Sequence, residues 1–393
     1  MNREKVVERP APLAAILGTT FFGSVSGGAF WAGLFFVTAR HYHFSPTRNL
    51  VLAASMGALS SVASWLSGRI AARFPPRSVV LTAFALWAAV ALLPVLFPRS
   101  EPALWGAAFV ASVTSAIIWP IVESYVSAGR HGPDMRSAIG WFNVVWTPAT
   151  AIPLFVMPAV ARLGLTWCLG LTGVINLLAF VAALGLPRQP VAHQAEAARA
   201  ALGPEYRALA RSTSWSLTLS YVISTAIAPI LPFRLAAVGV GGSSSMVAGL
   251  WMAARFVTFF AMWRTAFWHG RWGTSVAGGV AVVVGFASIL LAKSVVGLVL
   301  GLVLFGVGMG LIYYAALYYS LAVGHAAVDA GGTFEALIGL GSCVGPLLGS
   351  AGELLGGAAH AGAATLAVTA VILALAARGV VGPYVTARRQ RES

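Results

Sequence analysis

Charged residues are scarce in this sequence, and their scarcity excludes a soluble protein. They make up 9% of the 393 residues, whereas apolar residues make up 59%; a soluble domain has about 25% charged residues. The mean hydropathy is +0.84, so the chain has more apolar surface than one water-soluble core can bury. Apolar runs of about 18 residues or more indicate membrane spans, and such runs fill nearly the whole chain.

Cysteine and clustered metal ligands are also scarce, which argues against several kinds of site. Cys168 and Cys343 each lie in an apolar run without a Cys or His at ligand spacing. This pattern is typical of small buried side chains and not of a disulfide or a metal site. His325 and Asp329 lie in one loop, and no Gly-Lys-Ser/Thr loop for nucleotide phosphates occurs. We therefore expect no catalytic residue, metal or cofactor, and no ATP-driven pumping by this chain alone.

Acidic residues are fewer than basic ones, 11 against 25, and the net charge is +14. The basic residues lie in short loops between the apolar runs and form no contiguous stripe, so no nucleic-acid partner is expected. With the N-terminus in the cytoplasm, 18 Lys and Arg fall in cytoplasmic segments and 6 in outer loops, and Arg255 lies within a span. This bias follows the positive-inside rule and predicts a protein of the plasma (inner) membrane with both termini in the cytoplasm.

Twelve apolar runs predict an all-α membrane protein with twelve transmembrane helices. Each run is long enough, at about 1.5 Å per residue, to cross a hydrocarbon core of about 30 Å, the shorter ones with their flanks. The first begins at Ala11 and is too long for the core of a cleaved signal peptide. The runs lie near residues 12–37, 48–67, 78–97, 103–126, 137–161, 165–186, 214–236, 246–264, 274–292, 296–320, 333–354 and 360–378.

The twelve runs divide into two halves. A polar stretch, residues 187–213, predicts a cytoplasmic linker between an N-terminal six-helix bundle (1–186) and a C-terminal one (214–393). Pro148 in the fifth span and Pro346 in the eleventh are 198 residues apart, the period expected if the second half repeats the first. Two related bundles around a central pathway are a common plan of transporters.

Loops after the second and fourth spans resemble those of the major facilitator superfamily. The segment 68–77, Gly-Arg-Ile-Ala-Ala-Arg-Phe-Pro-Pro-Arg, is similar to the family's G-x-x-x-D-R-x-G-R-R/K signature, with Ala72 in place of the acid and Pro75 in place of the second glycine. Residues 133–136 with Gly140 are similar to its P-x-x-R-G-type turn. The resemblance covers essentially the full chain. It implies two pseudo-symmetric six-helix bundles that move a small solute by alternating access.

The eleventh span carries Gly341, Gly345 and Gly349, spaced four residues apart, together with Pro346. Glycines at this spacing share one helix face and let another helix approach closely, and a proline leaves a carbonyl unpaired and bends a helix. The pattern looks like the family's antiporter motif, which typically lies in the fifth span, where Pro148 stands here. Tight packing alone and motion between the bundles both remain explanations.

Two charges inside the spans are candidates for function, because an ionisable group at membrane depth is costly. Arg255, near the middle of the eighth span, either grips an anionic group such as a carboxylate or is satisfied by carbonyls and water. The resemblance favours the first use, since monocarboxylate carriers of the family have an arginine in that span. Glu123, near the cytoplasmic end of the fourth span, is either a reversible proton carrier or an interface acid paired with Arg130 or Arg136.

The resemblance also implies a latch on the cytoplasmic side. In the family, the aspartate of the signature loop helps hold the two bundles together, but here the position is Ala72 and the loop carries Arg69, Arg73 and Arg77. We hypothesise that Glu335 supplies the missing acid from the other bundle. The alternative is that Glu335 complements the positive end of its own helix.

In this architecture the first, fourth, seventh and tenth spans face the pathway. Their aromatic side chains with polar groups suit a partly apolar, hydrogen-bonding solute, unless they lie at the membrane interface; the candidates are Trp31, Tyr221, Tyr314 and Tyr318. We therefore predict a secondary transporter, not an enzyme. Its expected partners are the lipid bilayer and a small organic solute, an anion if Arg255 holds it, with protons coupled if Glu123 carries them. Efflux of amphipathic compounds is the alternative within transport, and a scaffold or receptor is the alternative outside it.

Overall fold

The computed structural model describes residues 10–130, 132–191, 204–265, 267–323 and 328–392, and the regular structure within these residues is helical throughout. Twelve helical segments, α1 to α12, follow one another along the chain. Their bounds are Leu13–Arg40 (α1), Pro46–Arg73 (α2), Pro76–Leu96 (α3), Glu101–Ser127 (α4), Gly132–Leu163 (α5), Trp167–Ala183 (α6), Pro204–Ile227 with Leu231–Ala237 (α7), Ser244–Arg264 (α8), Trp272–Leu291 (α9), Val295–Leu321 (α10), Gly332–Gly357 (α11) and His360–Thr386 (α12).

These segments correspond one to one to the predicted runs, and the all-α membrane fold is confirmed. Of the described helices, 10 are long and apolar enough to cross a membrane. The two parts of α7 pass the same test only when taken together, with a bend of 54° between them, and α6 is apolar but shorter. The helices of α1–α6 form one bundle and those of α7–α12 the other.

The seventh span begins earlier than the sequence predicts, at Pro204 and not near residue 214. A proline fits the first turn of a helix, where its missing N–H is not needed, and Glu205 in that turn complements the positive helix end. These local signals extend the helix into the polar stretch. Residues 192–203 lie outside the described part of the chain, so the bounds of the linker remain a prediction.

Local residue chemistry sets the helix ends and breaks. The side chain of Ser45 accepts a hydrogen bond of 3.2 Å from the backbone N–H of Arg48 at the start of α2, as is usual for an N-cap. Gly357 has φ +56, a left-handed conformation that glycine adopts without strain, and it separates α11 from α12. In α1, residues Ala29–Gly33 form a π-helical turn, a feature frequent at functional sites.

The two bundles meet most extensively along two pairs of helices, α2 with α11 and α5 with α8, and α4 also packs against α11. Glycines make the approach close: a Cβ added at Gly57 of α2 would overlap the carbonyl of Ser342 in α11. A Cβ at Gly339 would lie 2.6 Å from the Cα of Ser61. On the second pair, Gly140 of α5 receives the indole of Trp263 from α8. The interface between the bundles therefore depends on the absence of side chains at a few positions.

The glycines of the eleventh span lie mainly against α7, within the C-terminal bundle. A Cβ added at Gly341 would lie 2.6 Å from the carbonyl oxygen of Thr218, and one at Gly345 would overlap the carbonyl of Val222. Gly349 instead faces Leu50 of α2, at 2.7 Å from its added Cβ. The stripe predicted from the spacing thus provides close helix contact.

Candidate functional site

A cavity of about 170 Å³ lies between the two bundles at the centre of the helices. We call the lower end of the molecule the one at which α4 and α8 end and α11 begins. Three of the residues that line the cavity carry charge, and many of the others are aromatic. The charged residues are Arg255, Glu123 and Glu335, and the aromatic ones are Trp31, Phe36, Trp119, Phe142, Trp146, Tyr221, Trp251, Phe305 and Tyr313.

Arg255 extends from the middle of α8 into this cavity and is 1% exposed. Its guanidinium carbon lies 4.5 Å from the ring centres of both Trp146 and Tyr313 and 5.2 Å from that of Phe259. Such aromatic faces attract a cation. Trp146 belongs to α5, so both bundles contribute to the surroundings of the guanidinium.

The nitrogen atoms Nε and Nη2 of Arg255 have no hydrogen-bond partner among the described residues. The Tyr221 side chain of α7 lies within hydrogen-bonding reach of the guanidinium. Buried charges are normally paired or hydrogen-bonded, because an unpaired one is costly. The wall of the cavity therefore presents a fixed positive charge, and two of its nitrogen atoms have no hydrogen-bond partner among the described residues.

Glu123 extends from α4 near the lower end and is also 1% exposed. Both of its carboxyl oxygens are buried without a hydrogen-bond partner among the described residues. Glu335 of α11 lies close enough from the opposite bundle to interact with it electrostatically. Pro120 lies within α4 one turn before Glu123. The carbonyl that loses its helical donor to this proline is that of Ala116, and it accepts a hydrogen bond of 3.2 Å from the Ser64 hydroxyl. The cavity thus contains two acidic residues, one from each bundle.

Arg130, one of the partners considered for Glu123, bonds elsewhere. Its guanidinium donates to the carbonyl oxygens of Tyr125 at 2.9 Å, Val126 at 3.1 Å and Ala11 at 2.6 Å. Burial lowers the pKa of Arg130 from its ordinary value, against an opposing effect of Asp134. Backbone carbonyls, and not Glu123, therefore accept the hydrogen bonds of the Arg130 guanidinium.

The residues of the hypothesised latch do not meet in this structure. Glu335 faces the cavity and makes no ion pair with Arg69, Arg73 or Arg77 within the described residues. The guanidinium of Arg69 lies 4.2 Å from the ring centre of Trp65, and Arg73 is exposed. A carboxyl that faces inward at the start of α11 cannot at the same time pair with a loop on the surface.

Tyr314 and Tyr318 lie away from the cavity, in an aromatic cluster near the lower end. Their ring centres lie 5.4 Å and 5.2 Å from that of Trp268. His269 contacts the cluster at 4.7 Å from Tyr318. Burial, and then the nearby Arg136, lower the pKa of His269 from its ordinary value. The tyrosine of α10 that lines the cavity is Tyr313, and not Tyr314 or Tyr318 as the sequence suggests.

Tyr313 stacks on Trp146 of the other bundle, with ring centres 5.1 Å apart and planes at 8°. Sequence reasoning found Trp31, Tyr221, Arg255 and Glu123, and all four line the cavity. It did not find Trp146, Tyr313 or the cavity position of Glu335. Trp146 stands two residues before Pro148, but nothing in the local sequence distinguishes it from a tryptophan that faces lipid.

The sequence matches the Major Facilitator Superfamily over residues 16–350. The structure is similar to that of the human organic anion transporter MFSD10 (TETRAN), with a TM-score of 0.67 and 13% identity over 93% of this chain and 98% of the other. It is similar as well to the nucleoside transporter NupG, with a TM-score of 0.68 and 12% identity over 94% and 98% of the two chains. No curated protein has a sequence that matches significantly. At such identities the two structures support the fold and not a solute.

Proposed function

Because the chain belongs to the Major Facilitator Superfamily and is a membrane transporter of small solutes, we propose that its solute is a small organic anion held by Arg255. The single observation that carries this proposal is the guanidinium of Arg255 on the cavity wall, 1% exposed, with two nitrogen atoms that have no partner among the described residues. A carboxylate matches the planar donors of a guanidinium. Binding of an anion there would pair a charge that the fold keeps buried.

The aromatic lining supports a solute with an apolar or aromatic body. Trp31, Trp146 and Tyr313 surround the space beside the guanidinium, and apolar walls with a few polar groups are typical of small-molecule sites. Arg255 and Tyr313 belong to the C-terminal bundle and Trp146 to the N-terminal one. A solute that contacts all three would sense the relative position of the bundles, as alternating access at a central site requires.

We extend the proposal to proton coupling through Glu123. A buried carboxylate without a partner is costly, and binding a proton removes its charge. The titratable groups near it are Glu335 of α11 and, through their electrostatic effect, Tyr221 and Tyr313. We place the lower end of the molecule in the cytoplasm, on the basis of the positive-inside bias of the loops. Glu123 would then exchange protons with the cytoplasmic side.

Uptake by proteoliposomes tests both parts. We expect 3-phenylpropionate to be taken up and its neutral amide to be excluded, and we expect Arg255→Gln to abolish the uptake. The matched control is Arg234→Gln, because Arg234 lies in α7 and donates to the carbonyl oxygen of Ala292 at 3.1 Å. Equal uptake of the anion by wild type and Arg255→Gln would refute the anion site.

A pH gradient tests the proton carrier separately. In wild type an imposed gradient should change the rate of uptake, whereas in Glu123→Gln the rate should no longer depend on it. Glu101→Gln is the control, since Glu101 is paired with Arg48 at the opposite end of the molecule. Gradient dependence that persists in Glu123→Gln would contradict the role of Glu123.

Efflux of amphipathic compounds is the second candidate, and the extent of the aromatic lining favours it. Nine aromatic side chains in one cavity suit flat apolar molecules as well as small anions. A cationic or neutral dye that moves equally in wild type and Arg255→Gln would favour this candidate over an organic anion.

A further inference from the structure

The cavity contains ionisable groups of both signs that make no ion pair within the described chain. Arg255 supplies the positive charge, and Glu335 extends into the same space from α11. Glu335 makes no ion pair with a described residue. Tyr221 and Tyr313 each lie within electrostatic reach of both Arg255 and Glu335. The two opposite charges therefore share their neighbours, although they do not pair with each other.

A solute with an anionic group alone would satisfy only half of this arrangement. It would pair with Arg255 and leave the carboxyl of Glu335 facing an apolar, aromatic wall. Removing a charge from water is costly unless a partner replaces the water. A second group of opposite sign on the solute would supply that partner.

We propose that the transported solute is amphoteric, with an anionic group on Arg255, a protonated amine on Glu335 and an aromatic or apolar body against Trp146 and Tyr313. This inference rests on the proposed function, because it assumes that Arg255 binds the anionic group. It names the class of solute more narrowly, as an aminocarboxylate or a similar molecule.

The exposure of the two acids separates their roles. Both acids line the cavity. Glu123 is 1% exposed with both oxygens enclosed, whereas Glu335 is partly exposed. Of the two acids, Glu335 is therefore the more accessible to a bound amine, and Glu123 is assigned the proton.

Binding measured by tryptophan fluorescence tests the inference with two matched sets of solutes. The first set is phenylalanine, 3-phenylpropionate and 2-phenylethylamine; the second, with a longer separation of charges, is 4-(aminomethyl)phenylacetate, 4-methylphenylacetate and 4-methylbenzylamine. In at least one set we expect the aminocarboxylate to bind about tenfold or more tightly than the anion or the amine, which corresponds to about 1.4 kcal/mol.

Variants of the purified full chain assign the preference to its residue. Glu335→Gln should remove the preference for the amine and leave the affinity for the plain anion unchanged or higher, whereas Arg255→Gln should weaken both. Glu335→Asp, which keeps the charge, should retain part of the preference. The control is Glu353→Gln, at the other end of α11. Size exclusion and thermal melting confirm that each variant is folded.

The outcomes distinguish this inference from the proposed function. If the anions bind in an Arg255-dependent manner but as tightly as the aminocarboxylates in both sets, the anion site stands and the amphoteric solute is refuted. The same holds if Glu335→Gln retains the full preference. If no carboxylate binds to wild type, the proposed function is refuted and this inference with it.

Discussion

Replacing Gly57 with alanine should destabilise the contact between the two bundles. The added Cβ would overlap the carbonyl of Ser342 and lie 2.5 Å from the backbone nitrogen of Cys343, whereas ordinary contacts span 3.4–4 Å. Since both neighbours are backbone atoms of α11, they cannot turn aside as a side chain does. The helices α2 and α11 must therefore separate by about 1 Å to reach an ordinary contact distance.

The cost follows from overpacking. Inserting a methyl group into a well-packed contact costs about 1–3 kcal/mol, and the better helix propensity of alanine returns about 0.5–1 kcal/mol. The net effect is a destabilisation. Gly106 in α4 provides a matched control, because no atom of the described residues lies within 4 Å of a Cβ added there, and the same substitution should stabilise its helix.

Thermal melting of the purified protein in detergent, followed by tryptophan fluorescence, compares the two variants. The midpoint of Gly57→Ala should lie below that of wild type and the midpoint of Gly106→Ala at or above it. Uptake should fall in Gly57→Ala, because the bundles can no longer approach as closely. Midpoints that shift equally and in the same direction would refute the reasoning from close helix contact.

Three further predictions concern other regions. Trp146→Ala should weaken the binding of 3-phenylpropionate in a fluorescence titration by about 2- to 13-fold, because packing of the phenyl ring against an aromatic side chain contributes about 0.5–1.5 kcal/mol. An equal loss in Trp141→Ala, whose ring centre lies 4.7 Å from that of Trp263, would contradict this. Lowering the pH from 7 to 5 should lower the melting midpoint more in wild type than in His269→Gln. The pKa of His269 is lowered from 6.5 in the folded protein, so the unfolded chain binds a proton more readily and the folded protein loses stability as the pH falls below that value. An identical pH dependence of the two midpoints would argue against this. Gly345→Val should lower the midpoint more than Gly382→Val, because a Cβ at Gly345 overlaps the carbonyl of Val222, whereas no part of the described chain lies within 4 Å of a Cβ at Gly382. Equal shifts would show that α7 and α11 tolerate separation.

Much of the fold follows from the sequence because a bilayer imposes a simple rule on it. Each span must be apolar over about 20 residues, so the runs from Leu13 to Thr386 locate the helices within a few residues. The start of α7 at Pro204 departs from this rule, since the helix extends beyond the apolar run into polar residues. Helix ends outside the bilayer depend on caps and first-turn charges, which hydropathy does not measure.

The candidate site is predictable only where burial of a charge is itself the signal. Arg255 and Glu123 stand out because ionisable residues inside spans are rare, and both line the cavity. Among Tyr313, Tyr314 and Tyr318 the sequence offers no such signal. One residue along a helix turns the side chain by about 100°, so the choice depends on how α10 is rotated against α5 and α8.

The place of Glu335 is likewise not determined by its local sequence. Its position one turn into α11 is consistent with a surface latch and with a place in the cavity, and only the packing of α11 against α2 and α4 decides between them. The missing acid at Ala72 suggested the latch, but the loop arginines and Glu335 lie in different places. The rotation of a helix about its own axis is a property of the whole bundle and not of its local sequence.

The most direct test of the central claim locates a bound anion relative to Arg255. An experimental structure of the protein with 3-(4-bromophenyl)propionate, with the bromine located by anomalous diffraction, gives the position and direction of the solute. The account predicts the carboxylate at about 2.7–2.9 Å from the guanidinium nitrogens and the ring against Trp146 and Tyr313. A solute bound elsewhere, with no acceptor at the guanidinium, would contradict it.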